Sequence, residues 1–168
     1  MHIGKKGVWI ILAVFFFLQG CGRPKSFSIG ESIPLGKTTL SVQRAELDTL
    51  RGKNVLVVFI KWTGPNSEKD KILRPSLSMK KYFTVLDNSG KRYYFSKIMD
   101  EYSWQYLHMM QMPEAVHHQQ LEYEKRAIGE NYVILFWVPE EAKNLTLVIK
   151  NPFSEKGQPG TAEVLLGR

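Results

Sequence analysis

Cysteine is almost missing from this chain: its 168 residues contain one, Cys21. A lone thiol closes no disulfide within the chain, so stability has to come from packing. Long apolar runs are missing too. The longest, Val8 to Leu18, counts 11 residues. As a helix it reaches roughly 16 Å against a hydrocarbon core of about 30 Å, too short for a retained span. Motifs of catalysis are lacking as well. There is no Gly-x-Ser-x-Gly elbow, no His-Glu-x-x-His helix, no glycine-rich phosphate loop and no spare cysteine nucleophile. The expectation is a non-enzymatic protein with no cofactor and no assigned catalytic residue. Acids are in deficit, 16 against 23 Lys and Arg, for a formal charge of +7.

What is present at the N-terminus gives an address. Lys5 and Lys6 form a positive start, Val8 to Leu18 an apolar core, and Leu18-Gln19-Gly20-Cys21 follows directly. Leu18 is too large for the small-residue pattern of general signal cleavage. Leu-x-Gly-Cys instead resembles the lipobox of bacterial lipoproteins. The resemblance implies cleavage between Gly20 and Cys21, with Cys21 as the lipid attachment site. Residues 1–20 are then a signal peptide, 21–26 a short tether and 27–168 one domain. Several acyl chains, at about 0.8 kcal/mol per buried methylene, would hold the protein on the membrane without further help. Gly22 stands where some inner-membrane lipoproteins carry Asp, which points to the outer membrane in a host that has one.

Removing Lys5 and Lys6 leaves the mature chain at +5. A basic cytoplasmic protein would suggest nucleic acid; an exported one meets envelope components instead, so the expected partners are an envelope protein or polymer and the membrane itself.

From Phe27 onward short β-branched and aromatic runs alternate with Gly, Pro, Asn and Asp, the signature of strands and turns. Thr38 to Val42 alternates. Asn54 to Trp62 and Asn131 to Val138 are apolar on both faces, as central strands are. Lys81 to Leu86, the turn Asp87-Asn88-Ser89-Gly90, and Lys91 to Phe95 make a hairpin. Leu145 to Ile149 and Ala162 to Leu166 complete about seven or eight strands. The fold class expected is all-β, an antiparallel sandwich.

The order of these pieces resembles a bacterial family of immunoglobulin-like ("telokin-like") domains of unknown function, often borne on lipoprotein anchors. The matching features are Gly30-Glu31, the long core strand ending in a polar loop (Val55 to Ser67), and Leu86-Asp87-x-x-Gly90-x-x-Tyr93. To these add Gly129-Glu130 and Phe136-x-Val138-Pro139. The resemblance implies an immunoglobulin-like sandwich and transfers no catalytic residue. Family members frequently carry a long tether after the cysteine; this chain has almost none.

Between Phe95 and Ala127 the strand rhythm stops. Asp100 is a candidate N-cap, Tyr102, Tyr106 and Met109 or Met110 recur at helical spacing, and Pro113 restarts the pattern for a second helix to about Lys125. The expectation is a helical insertion over about 99–125 that covers one edge or end of the sandwich. Tyr102, Trp104 and Tyr106 are its candidate interaction residues, since aromatics give large contact areas at small entropic cost; the competing use is to pack on the sandwich. Beside them lie His108, Met109, Met110, Met112, His117 and His118. Imidazole and thioether donors suit Cu(I), so a copper-handling lipoprotein with His108, Met112 and His117 as ligands is the alternative to a binding module. His117 and His118 lie about 100° apart on a helix and do not both turn inward easily. Otherwise the methionines pack and the histidines are solvated.

Overall fold

The structure, a computed structural model, describes residues 24–73, 81–110, 130–153 and 155–167, with backbone alone for Asp70–Leu73 and His108–Met110. Its elements are β1 (Lys25–Phe27), β2 (Ile33–Leu35), β3 (Thr38–Leu50), β4 (Lys53–Thr63), α1 (Asn66–Leu73), β5 (Phe83–Leu86) and β6 (Arg92–Asp100). There follow α2 (Glu101–Met110), β7 (Asn131–Trp137), β8 (Leu145–Lys150) and β9 (Thr161–Gly167).

The fold is all-β, as expected. It has nine described strands rather than seven or eight, hydrogen-bonded in the order β1-β9-β8-β5-β6-β7-β4-β3-β2. The added ones, β1 and β2, are three residues each, too short to show an alternation. Nor is the pairing wholly antiparallel. β1 runs parallel to β9, with Lys25 beside Ala162 and Phe27 beside Val164, so the sheet is mixed. After β1 the chain turns at Ser28 to Glu31 and passes to β2 at the opposite edge of the sheet, whose two edges lie close together. Gly30 takes a φ of 87° there, the Glu31 carboxylate accepts from the Ser28 amide, and the Gly30 amide donates to Val42.

β6 belongs to both halves of the sheet. Arg92 to Tyr94 pair with Leu86 to Thr84 of β5; beyond a register shift between Phe95 and Lys97, the rest of β6 pairs with β7. A bulge of this kind bends a strand and re-aims its side chains. The continuous sheet thus curls round at β6 into a nearly barrel-shaped wall, with β1-β9-β8-β5 and the start of β6 forming one half, or layer, and the end of β6 with β7-β4-β3-β2 the other.

Alternation along the strands turns one face of each layer inward. Leu56, Val58, Ile60 and Trp62 of β4, Tyr132, Ile134 and Phe136 of β7, Leu145, Leu147 and Ile149 of β8, and Ala162, Val164 and Leu166 of β9 share one core. Trp62 lies fully buried within it, its ring edge-on to Phe83 and Tyr132 at 6.3 Å each. The indole N–H finds its acceptor in Thr38 Oγ1 at 2.9 Å, and that hydroxyl donates to the Leu35 carbonyl at 2.8 Å. A buried indole without such a partner would be costly.

The two central strands are apolar outward as well, for a separate reason. Val55, Val57 and Phe59 of β4, Val133 and Leu135 of β7 and Met99 of β6 form a second cluster with Trp104 and Leu107 of α2. The helix therefore lies on the outer face of the layer, and does not cap an edge or an end as expected. β6 continues to Asp100 and the helix begins at Glu101, directly after the expected N-cap. Asp100 is its N-cap: its carboxylate accepts from the Ser103 amide at 2.8 Å and the Ser103 hydroxyl at 2.5 Å. α1, in the polar segment after β4, was not expected at all.

Candidate functional site

The outer face of the β6-β7-β4-β3 layer collects most of the sequence-predicted surface. Register sets it out in rows. Arg44, Phe59, Val133 and Met99 lie side by side, then Glu46, Val57, Leu135 and Lys97, then Asp48, Val55 and Trp137. α2 rises from the end of β6 at Asp100 and packs over the middle of this face. At its first turn Glu101 meets Arg44 at 3.6 Å, while the Arg44 guanidinium lies 3.6 Å from the centroid of the Phe59 ring. The bulge between Val42 and Arg44 aims Arg44 outward onto that ring.

Of the three candidate interaction aromatics, the structure divides the roles. Tyr102 is 70% exposed. Trp104, at 4% exposure, is packed into the cluster beneath the helix; it holds α2 down and is corrected from a surface anchor to a core residue. Tyr106 is half-buried. Among the candidate metal ligands, His108 falls on the last turns of α2 with its backbone alone described, and Met112 and His117 lie outside the described residues, as do Gly20, Cys21 and the rest of the insertion. Among the described residues no three His, Cys, Asp or Glu side chains gather as a metal site, and no helix is long and apolar enough to cross a membrane.

Beside the C-terminal half of α2 the outer face opens into a slot of about 150 Å³, lined by Leu50, Arg51, Ser96, Lys97, Met99, Leu107, Leu135 and Trp137. Its floor is apolar. Trp137, at the end of β7, is 42% exposed on its rim, a residue to which the sequence reading gave no role beyond strand core. Arg51 and Gly52 make the two-residue turn between β3 and β4, with φ of 53° and 71°. Gly52 suits that geometry and an arginine does not, because a side chain at positive φ crowds its own carbonyl.

Among the described residues two titrating groups depart from their ordinary values, and both belong to the β5–β6 hairpin. Asp87 accepts from the Ser89 hydroxyl at 2.6 Å, the Ser89 amide at 2.8 Å, the Lys91 amide at 3.1 Å and the Tyr93 hydroxyl at 2.8 Å. These bonds, Ser89 first and then Tyr93, hold its carboxyl down to about 2. Tyr93, buried and donating to that carboxylate, is raised to about 12, by burial first and then by Asp87. This wiring accounts for the Asp-x-x-Gly-x-x-Tyr spacing, with Gly90 at a φ of 80°. It is a turn lock.

The other layer's outer face carries two more exposed apolar side chains, Tyr94 and Leu165, set among Thr84, Thr146, Arg92 and Glu163. Searches against protein-family models, curated proteins and solved structures return no match to this chain.

Proposed function

We propose that this chain is a lipid-anchored envelope protein whose immunoglobulin-like sandwich binds an envelope partner through the surface around α2. The immunoglobulin-like assignment is supported by strand order. From β3 to β9, one layer reads β6-β7-β4-β3 and the other β9-β8-β5. This parallels the D-E-B-A and G-F-C sheets of immunoglobulin domains, with β6 passing between the two. The anchor is supported by the Leu18 to Cys21 motif.

The observation that carries the binding role is one face with Tyr102 exposed on the first turn of α2 and Trp137 exposed on the rim of an apolar slot. Exposed aromatics of this kind supply most of the energy in many interfaces. Topology gives that face a direction. Lys25 sits beside Ala162, Ala162 beside Ile149 and Ile149 beside Phe83, whose ring meets Trp62 at the far end of β4 from Lys53. The chain thus enters at one end of the sandwich, and Arg51 and Trp137 lie toward the other, roughly 25–30 Å away at about 3.3 Å per residue. With Cys21 in the bilayer, the slot faces away from it.

Photo-crosslinkers placed at Tyr102, Trp137, Tyr94 and Leu165 in the native envelope test this. Shared adducts at 102 and 137, absent at 94 and 165, are expected. Adducts confined to 94 and 165 would move the binding face to the other layer.

A further inference from the structure

The end of the sandwich where the chain enters is built as one surface. Gln158, in the connection from β8 to β9, reaches across to the turn between β2 and β3: its side chain accepts from the Gly36 amide at 2.7 Å and donates to the Gly36 carbonyl at 2.8 Å. Asn151 donates to the same Gln158 oxygen and to the Pro159 carbonyl, at 3.2 Å each. The Phe153 ring lies so close over Gly36 that a Cβ there would come within 2.7 Å of it. Two turns from opposite halves of the sheet are thus clasped together. Lys25 stands beside them, next to Ala162 at the start of β9.

Five exposed lysines surround this clasp. Lys37 and Lys156 lie on the two clasped turns, Lys25 and Lys150 on strand ends that run into them, and Lys81 just before β5, whose Phe83 pairs with Ile149. Lys25 lies over the Phe27 ring at 5.1 Å, and among the described residues none of the five is ion-paired. The acids at this end are already engaged. Glu130 pairs with Lys61 at 3.5 Å, Glu155 accepts from Gln158 at 3.0 Å, and Glu68 of α1 has its interaction within the chain. The opposite end mixes its signs, with Lys53, Lys91 and Lys143 set among Asp87, Glu140 and Glu141.

We infer that this lysine-bearing end is a docking surface for the anionic phospholipid headgroups of the bilayer that holds the anchor. It rests on the lipid-anchored reading above and names what the anchored end touches. The tether selects the occupant. From Cys21 to Lys25 the chain reaches at most roughly 14 Å when fully extended, so the clasp stays within about two Debye lengths of the lipid phosphates at physiological salt. Lysines at that distance are drawn to an anionic surface, and several act together. The lipid holds the protein on the membrane; the lysines set which way it stands.

The test acetylates the amines of the full, lipidated chain in nanodiscs of phosphatidylcholine alone or of phosphatidylcholine with phosphatidylglycerol, and reads each lysine by mass spectrometry. Lys25, Lys37, Lys81, Lys150 and Lys156 are expected to react about fivefold or more slowly in the anionic discs, with the difference shrinking as salt rises. Lys53, Lys91 and Lys143 should react equally in both. Lys37→Glu combined with Lys150→Glu should bring the other three to within about twofold of their rates in neutral discs, and Lys53→Glu combined with Lys143→Glu should change nothing. Thermal unfolding checks that each variant folds. Equal reaction of the five lysines in both discs, or protection of Lys53, Lys91 and Lys143 in their place, overturns the assignment. If Cys21 carries lipid and no lysine is protected, the docking surface is wrong and the anchor stands. If Cys21 carries no lipid, the anchor reading fails; flotation of the same chain with phosphatidylglycerol vesicles then reads the lysine surface by itself, and an absence of binding ends both.

Discussion

The guanidinium of Arg44 stacks over the ring of Phe59, 3.6 Å from its centroid, and in the same position meets Glu101 at 3.6 Å. One side chain thus ties the bulge in β3, the outer face of β4 and the first turn of α2 together. Half of the Arg44 side chain remains exposed, 56% by area, so the ion pair is screened and the ring contact is the larger part. Arg44→Ala is expected to lower unfolding stability by about 1 kcal/mol in chemical denaturation. Glu101→Gln should cost less than half of that.

The Asp87–Tyr93 lock gives stability a defined pH dependence at both extremes. Asp87 is depressed in the folded state, so its contribution is present above its unfolded value of 3.8 and is lost as pH falls through about 2. Tyr93 is raised, so its contribution is present below its unfolded value of 10.0 and is lost as pH rises through about 12. Urea midpoints of wild type should fall in both windows. Asp87→Asn should flatten the profile relative to wild type between pH 4 and 2, and Tyr93→Phe between pH 10 and 12; parallel profiles for variant and wild type would show that the bond is not made in solution.

Thr38→Val removes the acceptor of the Trp62 indole N–H inside the core. The two side chains are nearly the same shape, so the loss reports the orphaned donor. It is expected to be about 1–3 kcal/mol, measured by equilibrium unfolding, with Thr38→Ser retaining most of the stability.

Gly64 has a φ of 117°, and a Cβ there would lie 2.9 Å from both the Lys37 carbonyl oxygen and Thr38 Cα. Both are backbone atoms and do not swing aside. Gly64→Ala is therefore expected to destabilise by about 2–4 kcal/mol. Gly52→Ala, whose Cβ meets nothing within 4 Å and whose φ of 71° lies nearer the left-handed region open to alanine, should cost clearly less, and the difference in thermal midpoint between the two reads the close approach together with the harsher φ of Gly64.

Cys21→Ala is expected to leave the protein unlabelled by radioactive palmitate and to shift it out of the membrane fraction or leave it uncleaved at residue 20. Continued lipid labelling of that variant would refute the lipobox reading.

Much of the sheet was legible because β4, β5, β7, β8 and β9 carry their inward residues on a strict two-residue period, and because Asp87, Gly90 and Tyr93 mark their own turn. Asp100 announced the helix start for the same local reason. β3 was read only as far as Val42. The bulge between Val42 and Arg44 breaks the period there, and the outward residues beyond it, Arg44, Glu46 and Asp48, hide the strand among charges. What lay over the outer faces of β4 and β7 was not legible either. Apolar residues on both faces predict two covers without saying what they are, and Trp104 as sheet packing or as surface has the same spacing. The slot combines Leu50 and Arg51 with Lys97, Leu107 and Trp137, residues from four elements and one turn, and no local pattern announces such a meeting.

The parallel pairing of β1 with β9 has a mechanical meaning. A protein tied to a bilayer by its first residues and to a partner at its opposite end is pulled lengthwise. Because β1 lies beside β9 and runs along the same direction, a pull on the start of β1 against a domain held at its far end slides β1 along β9. All the rungs between them are then strained at once, where a hairpin pulled from its open end would yield rung by rung. If the proposed anchor and partner hold, the three residues Lys25, Ser26 and Phe27, the last plugged into the core, form a short shear clamp at the place where that load would enter the domain.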